Sequence, residues 1–268
     1  MFFKIEADRA KVGGVQMVNG KISFQGIALN VHCFSADGLL IDTGAKALAK
    51  HFTPFLNEQK IEQIVITHHH EDHTGNAAFL QKERKLPILM HAQKIADCSE
   101  KADYPLYRKL FWGRRAPFQA EPLTDQLYSS NAKWEVIETP GHAADHICLL
   151  NTETGQLFSG DLYVSDRFKV MLRDESMPQL IQSIEKVLTY NFGEMFCCHA
   201  GYVKDGRSAL QRKLDYMLEL QSQIAELHRS GLAPKQIQRA LFPKTYAVTR
   251  FSRGEWDSLH IITSCLTS

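Results

Sequence analysis

Residues 67–75 read THHHEDHTG, which sets four histidines and two carboxylates in six consecutive positions. A solvated loop gains no stability from such a density of imidazoles, so the stretch is read by its spacing. His68 and His70 cannot share a helix face, because same-face positions on a helix lie three or four apart. In an extended segment leaving a strand they point the same way. They can then hold one ion while Asp72 and His73, a turn further on, hold a second. Imidazole and carboxylate suit Zn2+ and its harder divalent neighbours, at bond lengths near ~2.0–2.2 Å. The β-rich run at 61–66 leads into the stretch, so the cluster is expected at the C-terminal end of a strand.

Other strands deliver further candidates. The first quarter, through VGGVQMVNG and KISFQGIALNVHCFSADGLLIDTG, reads as a β-meander punctuated by Gly, Asn and Asp. Helices are expected near AKALAKHFTPFL and from residue 76 to about 85, with an apolar run LPILMHA after them. Further on, KWEVIETPGH is a strand entering a turn, HICLLNTETGQLFSGD a hairpin-like pair, and GEMFCCHAG another strand. These bring His142, Asp161 and His199 to or near strand ends. Seven potential ligands from four stretches exceed what one tetrahedral ion requires, whereas two ions sharing a bridging carboxylate would use them all.

Residues 103–123, DYPLYRKLFWGRRAPFQAEPL, break the alternation and read as an insertion or lid. Arg108, Lys109, Arg114 and Arg115 interleave with Tyr107, Phe111, Trp112 and Phe118, a pattern that could accept an anionic substrate or stack on a base. The plainer reading is an amphipathic helix with solvated arginines. Tyr163, just after Asp161, is a candidate substrate contact. A long helix is expected at 208–229, stopped by Gly231, and a shorter one at 234–242 beginning with proline.

Composition narrows the partners. Over 268 residues the formal net charge is +1, and the basic residues of the tail are interrupted by acidic ones, so nucleic acid is a disfavoured partner. No apolar run approaches the roughly 18 residues that would cross a bilayer, and the N-terminus lacks an apolar core followed by a cleavage site, so a cytoplasmic protein is expected. The six cysteines show no disulfide-framework spacing and are read as reduced.

The strings LLIDTG, THHHEDHTGN, TPGHAADH, FSGD and CCHAG, in this order, resemble the motif series of the metallo-β-lactamase-fold hydrolases, closest in wording to the glyoxalase II-like branch. The similarity covers roughly residues 15–205. It implies an α/β fold, a four-layer αβ/βα sandwich with a dinuclear site at one edge, in a catalytic domain at 1–205. Residues 206–268 would form a C-terminal helical extension packed on it. Carried over residue by residue, His68, His70 and His142 would hold the first metal, Asp72, His73 and His199 the second, and Asp161 would bridge. Asp42 and His146 match positions that support the ligands from behind. Cys198 stands where many members have glycine. His69 and Glu71 alternate with the ligands and are expected to have supporting or solvent roles, and Cys197 and Cys198 to be core.

The implied chemistry is hydrolysis of a small-molecule ester, thioester or lactone by a metal-bridging hydroxide, with Asp72 orienting or deprotonating it. The ions would be two divalent metals, zinc first, with iron or manganese as alternatives. A homodimer is compatible with this reading. Two other activities share the ligand set: a phosphodiesterase or nucleic-acid processing hydrolase, and an iron-dependent sulfur dioxygenase-like enzyme.

Overall fold

The computed structural model describes residues 3–267. Its N-terminal half builds a seven-stranded sheet in sequence order. Four antiparallel strands come first: β1 (Lys4–Val12), β2 (Val15–Phe24), β3 (Ile27–Ala36) and β4 (Leu39–Ile41). After α1 (Ala49–Glu58), β5 (Gln63–Val65) pairs parallel to β4. The short α2 (Glu71–Thr74) and α3 (Ala77–Arg84) lead to β6 (Ile88–Met90). Then α4 (Ile95–Ser99) and α5 (Leu106–Phe111) precede β7 (Glu121–Pro122), which closes the sheet.

The second sheet has six strands in the order β14-β13-β11-β10-β9-β8. It is built from β8 (Gln126–Tyr128), β9 (Lys133–Glu138), β10 (Ile147–Asn151) and β11 (Leu157–Gly160), then, after β12 (Met171–Leu172) and α6 (Met177–Leu188), from β13 (Met195–Cys197) and β14 (Gly201–Val203). The chain ends with α7 (Gly206–Arg229), α8 (Pro234–Leu241), α9 (Ala247–Phe251), β15 (Trp256–Asp257) and α10 (Ser258–Leu266). β15 pairs antiparallel with β12 as a separate two-stranded ribbon.

Strand alternation explains the layers, since successive side chains face opposite sides of a sheet. Leu39 and Ile41 point into the core between the sheets with Phe34, Trp134, Leu149 and Phe158, while Leu40 points outward to Phe52 and Phe55 of α1. On the other sheet Ile147 and Leu149 face inward, while Cys148 and Leu150 meet α6 and α7. The result is helix, sheet, sheet, helix, the four-layer αβ/βα sandwich expected from the motifs. β4, short and buried along its whole length, reads as continuous apolar sequence because both faces are covered.

Three elements differ from the sequence reading. β1, KIEADRAKV, is exposed along most of its length; it forms by pairing with β2, and its charges suit an edge strand. Residues 103–123, read as an insertion or lid, contain a six-residue helix and a strand that joins the first sheet. The tail holds four helices and a strand instead of two helices, and α7, α8 and α10 share one apolar core with α6.

Candidate metal centre

Each candidate ligand sits just past the end of a strand. The 66–75 loop and α2 follow β5, His142 follows β9, Asp161 follows β11, and His199 follows β13. Because these strands lie in two facing sheets and end on the same side, the fold gathers seven side chains separated by up to 131 residues (68 to 199).

Two sets of ligand atoms result. In the first, His70 Nδ1 lies 3.1 Å from both His68 Nε2 and His142 Nε2. Burial, and then the neighbouring imidazoles, hold His68 well below the ordinary histidine value; burial and the Arg108 guanidinium do the same for His70. His70 Nδ1 can satisfy at most one of its two neighbours by hydrogen bonding. A single cation satisfies all three, and tetrahedral bonds of ~2.0–2.1 Å would separate such nitrogens by about 3.3 Å. In the second set, His199 Nε2 lies 3.0 Å from Asp161 Oδ2 and 3.5 Å from Asp72 Oδ2, and His73 Nε2 lies 3.5 Å from Asp161 Oδ1. His73 Nε2 and Asp161 Oδ1 are buried without a hydrogen-bond partner, as atoms awaiting a metal would be. Burial would raise the Asp161 carboxyl, but His199 and His73 outweigh it and hold the group well below the carboxylate range. Burial likewise opposes protonation of His199, yet Asp161 and Asp72 push it up to about 9. Asp161 Oδ2 is also 3.4 Å from His142 Nε2, so this carboxylate touches both sets.

The supporting groups are equally specific. Asp42 accepts from His73 Nδ1 at 2.7 Å and from the Thr67 amide at 2.8 Å. His146 accepts the Asp161 amide on Nε2 at 3.0 Å and bonds Thr139 Oγ1 through Nδ1 at 2.8 Å. Burial lowers His146 to about 3, so it is a neutral ring donating from Nδ1. Gly75 lets α2 press against the preceding loop, where a Cβ would come within 2.2 Å of the Lys46 amide nitrogen. His69 turns away and pairs with buried Asp145 at 2.8 Å. Glu71 is 3% exposed and takes a two-pronged bond from Arg108, with both distances 2.6 Å. Cys198 is buried, its Sγ donating weakly to the His32 carbonyl, and it leaves His199 in the cluster.

The three arginines have different surroundings. Arg108 lines the cavity beside the cluster, but its guanidinium is committed to Glu71 and Glu255. Arg115 is buried, donates to the carbonyls of Cys98 and Asp97, and lines the wider cleft outside the cavity. Arg114 is exposed and lines neither that cavity nor the wider cleft outside it. The solvated reading holds for exposed Arg114 but not for Arg108 and Arg115, whose partners come from distant segments and cannot be read from their own stretch. Tyr163 does line the cavity, with its hydroxyl donating to Asp166 at 2.6 Å.

One functional residue escaped the sequence reading. Glu175 bonds His142 Nδ1 closely and accepts the Leu172 amide at 2.8 Å. Such a carboxylate fixes the ring so that Nε2 faces the cluster. The signal was present: Ser176-x-x-Gln179 is a helix-start pattern, and Ser176 does cap α6, which sets Glu175 one residue ahead of the cap.

Known proteins resemble this chain in the same terms. The chain is 32% identical over 152 residues to the hydroxyacylglutathione hydrolase of Idiomarina loihiensis, covering 53% of this chain and 49% of that protein. It is 25% identical over 225 residues to the atrochrysone carboxyl ACP thioesterase of Aspergillus fumigatus, covering 82% of this chain and 63% of that one. The chain thus spans about half to two thirds of these relatives. Among solved structures, a metallo-beta-lactamase family protein from Thermus thermophilus superposes with a TM-score of 0.69 at 18% identity, covering 95% of this chain and 92% of that one. The family profile of the metallo-beta-lactamase superfamily matches residues 35–199, the span that carries all seven clustered side chains, and the chain belongs to that superfamily.

Proposed function

We propose that this protein is a binuclear metal-dependent hydrolase of small esters, thioesters or lactones. The observation that carries this reading is the position of Asp161 between two converging sets of buried ligand atoms. In this reading His68, His70 and His142 hold one ion, Asp72, His73 and His199 the other, and Asp161 is shared. Imidazole and carboxylate donors suit zinc and also admit iron or manganese. When bound, the ions would supply Lewis acidity toward a carbonyl and bring the pKa of water down toward neutrality.

The chain's own groups would do the rest. Asp72, which lines the cavity, orients the attacking water and takes its proton. Glu175 and Asp42 keep His142 and His73 turned inward. Burial pushes the Cys197 and Cys198 thiols up, so neither supplies a nucleophile. Arg108 and Arg115 are both committed to partners within the chain, so neither guanidinium is free to grip a phosphodiester.

Elemental analysis of protein purified without chelator, followed by turnover of thioester, lactone and bis-p-nitrophenyl phosphate substrates, tests the reading. About two zinc ions per chain with ester or thioester turnover is the expected result. Less than one ion of any kind, or turnover of the phosphodiester alone, would sink it.

A further inference from the structure

A cavity of about 180 Å³ opens directly onto the clustered ligands, bounded by His70, Asp72, His142, Asp161 and His199 on one side. Its other walls are mostly apolar: Leu29, Phe168, Met171, Leu180, Trp112 from the middle of the chain and Trp256 from the tail. Trp256 is carried there by β15, whose pairing with β12 also sets Met171 and Leu172.

Five charged or hydroxyl-bearing side chains beyond the ligand cluster also line it, and each has polar atoms committed elsewhere, Tyr163 through its hydroxyl to Asp166. Arg108 is held by Glu71 and Glu255. Glu175 serves His142 and the Leu172 amide. Lys213 Nζ donates to the carbonyls of Leu162 and Tyr163 at 2.7 and 2.6 Å, so it offers the cavity its methylenes. Ser165 donates to the Arg167 carbonyl at 2.8 Å.

We infer that this cavity is the acyl-group pocket of the hydrolase, selecting an uncharged apolar acyl group of about six carbons or one aromatic ring, with comparable cavities of ~150 Å³ taking benzene. The assignment rests on the proposed hydrolase reading and names the substrate class within it. A polar carrier or sugar-phosphate leaving group does not suit such walls, because a charged group there would lose its water without gaining a partner. The polar side of the substrate therefore points outward. The outer cleft, which shares His70 and Arg108 with the cavity and is otherwise rich in charged side chains, lies on that side.

Two measurements test the pocket. The first needs no turnover: hexanol and benzyl alcohol are titrated into the full chain and read by fluorescence of Trp112 and Trp256. Saturable binding is expected, and its absence overturns the pocket even if short esters are cleaved. The second compares kcat/KM for thioesters of one leaving thiol with acetyl, butyryl, hexanoyl and dodecanoyl groups on the metal-loaded protein. Each methylene up to hexanoyl should raise kcat/KM by up to about fourfold, and dodecanoyl should fall back.

Val170→Trp, which narrows the cavity, should move the optimum to shorter chains, and Trp256→Ala should move it to longer ones. If one variant does not fold, the other still carries the shift. Turnover that is flat from acetyl to dodecanoyl overturns the acyl pocket and leaves the hydrolase reading standing. Probe binding with no turnover of any ester, thioester or lactone overturns the hydrolase reading and the acyl assignment with it.

Discussion

The alternation within THHHEDH decides which side chains meet. His68 and His70 converge within 3.1 Å, whereas His69, between them, is turned to Asp145. His69→Ala should accordingly leave the metal content of the purified protein unchanged, and loss of one ion in that variant would contradict the geometry. Glu175→Gln is expected to act at one remove: the amide oxygen still reaches His142 but without charge, and such changes weaken metal affinity by ~10–100-fold. Competition with a chromogenic chelator would measure it, and the loss should fall on one ion per chain. The seven candidate ligands could be read from residue type and spacing. Glu175 was readable only in part, because its helix-start pattern says where α6 begins but not that His142 lies beside it.

Short elements with long-range partners hold this site. α2 carries Glu71, α5 carries Arg108, and their ion pair is nearly excluded from water, with side chains 3% and 14% exposed. Arg108→Ala leaves the Glu71 carboxylate buried without its partner and should cost about 3 kcal/mol, measured by denaturant unfolding. α7 contributes Lys213, which burial lowers to about 8 from the usual lysine value near ~10.4. Between those two values the unfolded chain binds the proton that the folded chain has released, so stability contributed at this position rises with pH. The stability of wild type relative to Lys213→Met should therefore increase between pH 8 and pH 10; a constant difference would show that the ammonium is not penalised. The long α7 was legible from its apolar stripe, and a helix at α5 was the plainer reading of its segment, but β7 was not legible. Its residues carry no period because it is stabilised by pairing with another segment.

The molecule as a whole closes the site from both chain ends. Leu29 from the N-terminal meander and Trp256 from the tail line one cavity, and α6, α7, α8 and α10 form one core. The ligand cluster buries His73 Nε2 and Asp161 Oδ1 without partners and sets three imidazole nitrogens close together, so metal removal should destabilise the entire fold. Dialysis against a chelator is expected to lower Tm, with recovery on adding zinc, since a ligand bound only by the folded state stabilises it by mass action. A Tm indifferent to chelation would contradict that. The sandwich architecture and the supporting Asp42 were implied by the resemblance of the motif series, and the strand-end placement of the candidate ligands followed from local pattern, because strand periodicity and ligand chemistry are encoded within a few residues. The pairing of Arg108, the role of Glu175, the C-terminal strand and the apolar walls beside the cluster did not. Each depends on which distant segments come to share a buried space, and that is set by the packing of two sheets and their helices rather than by any stretch of sequence read alone.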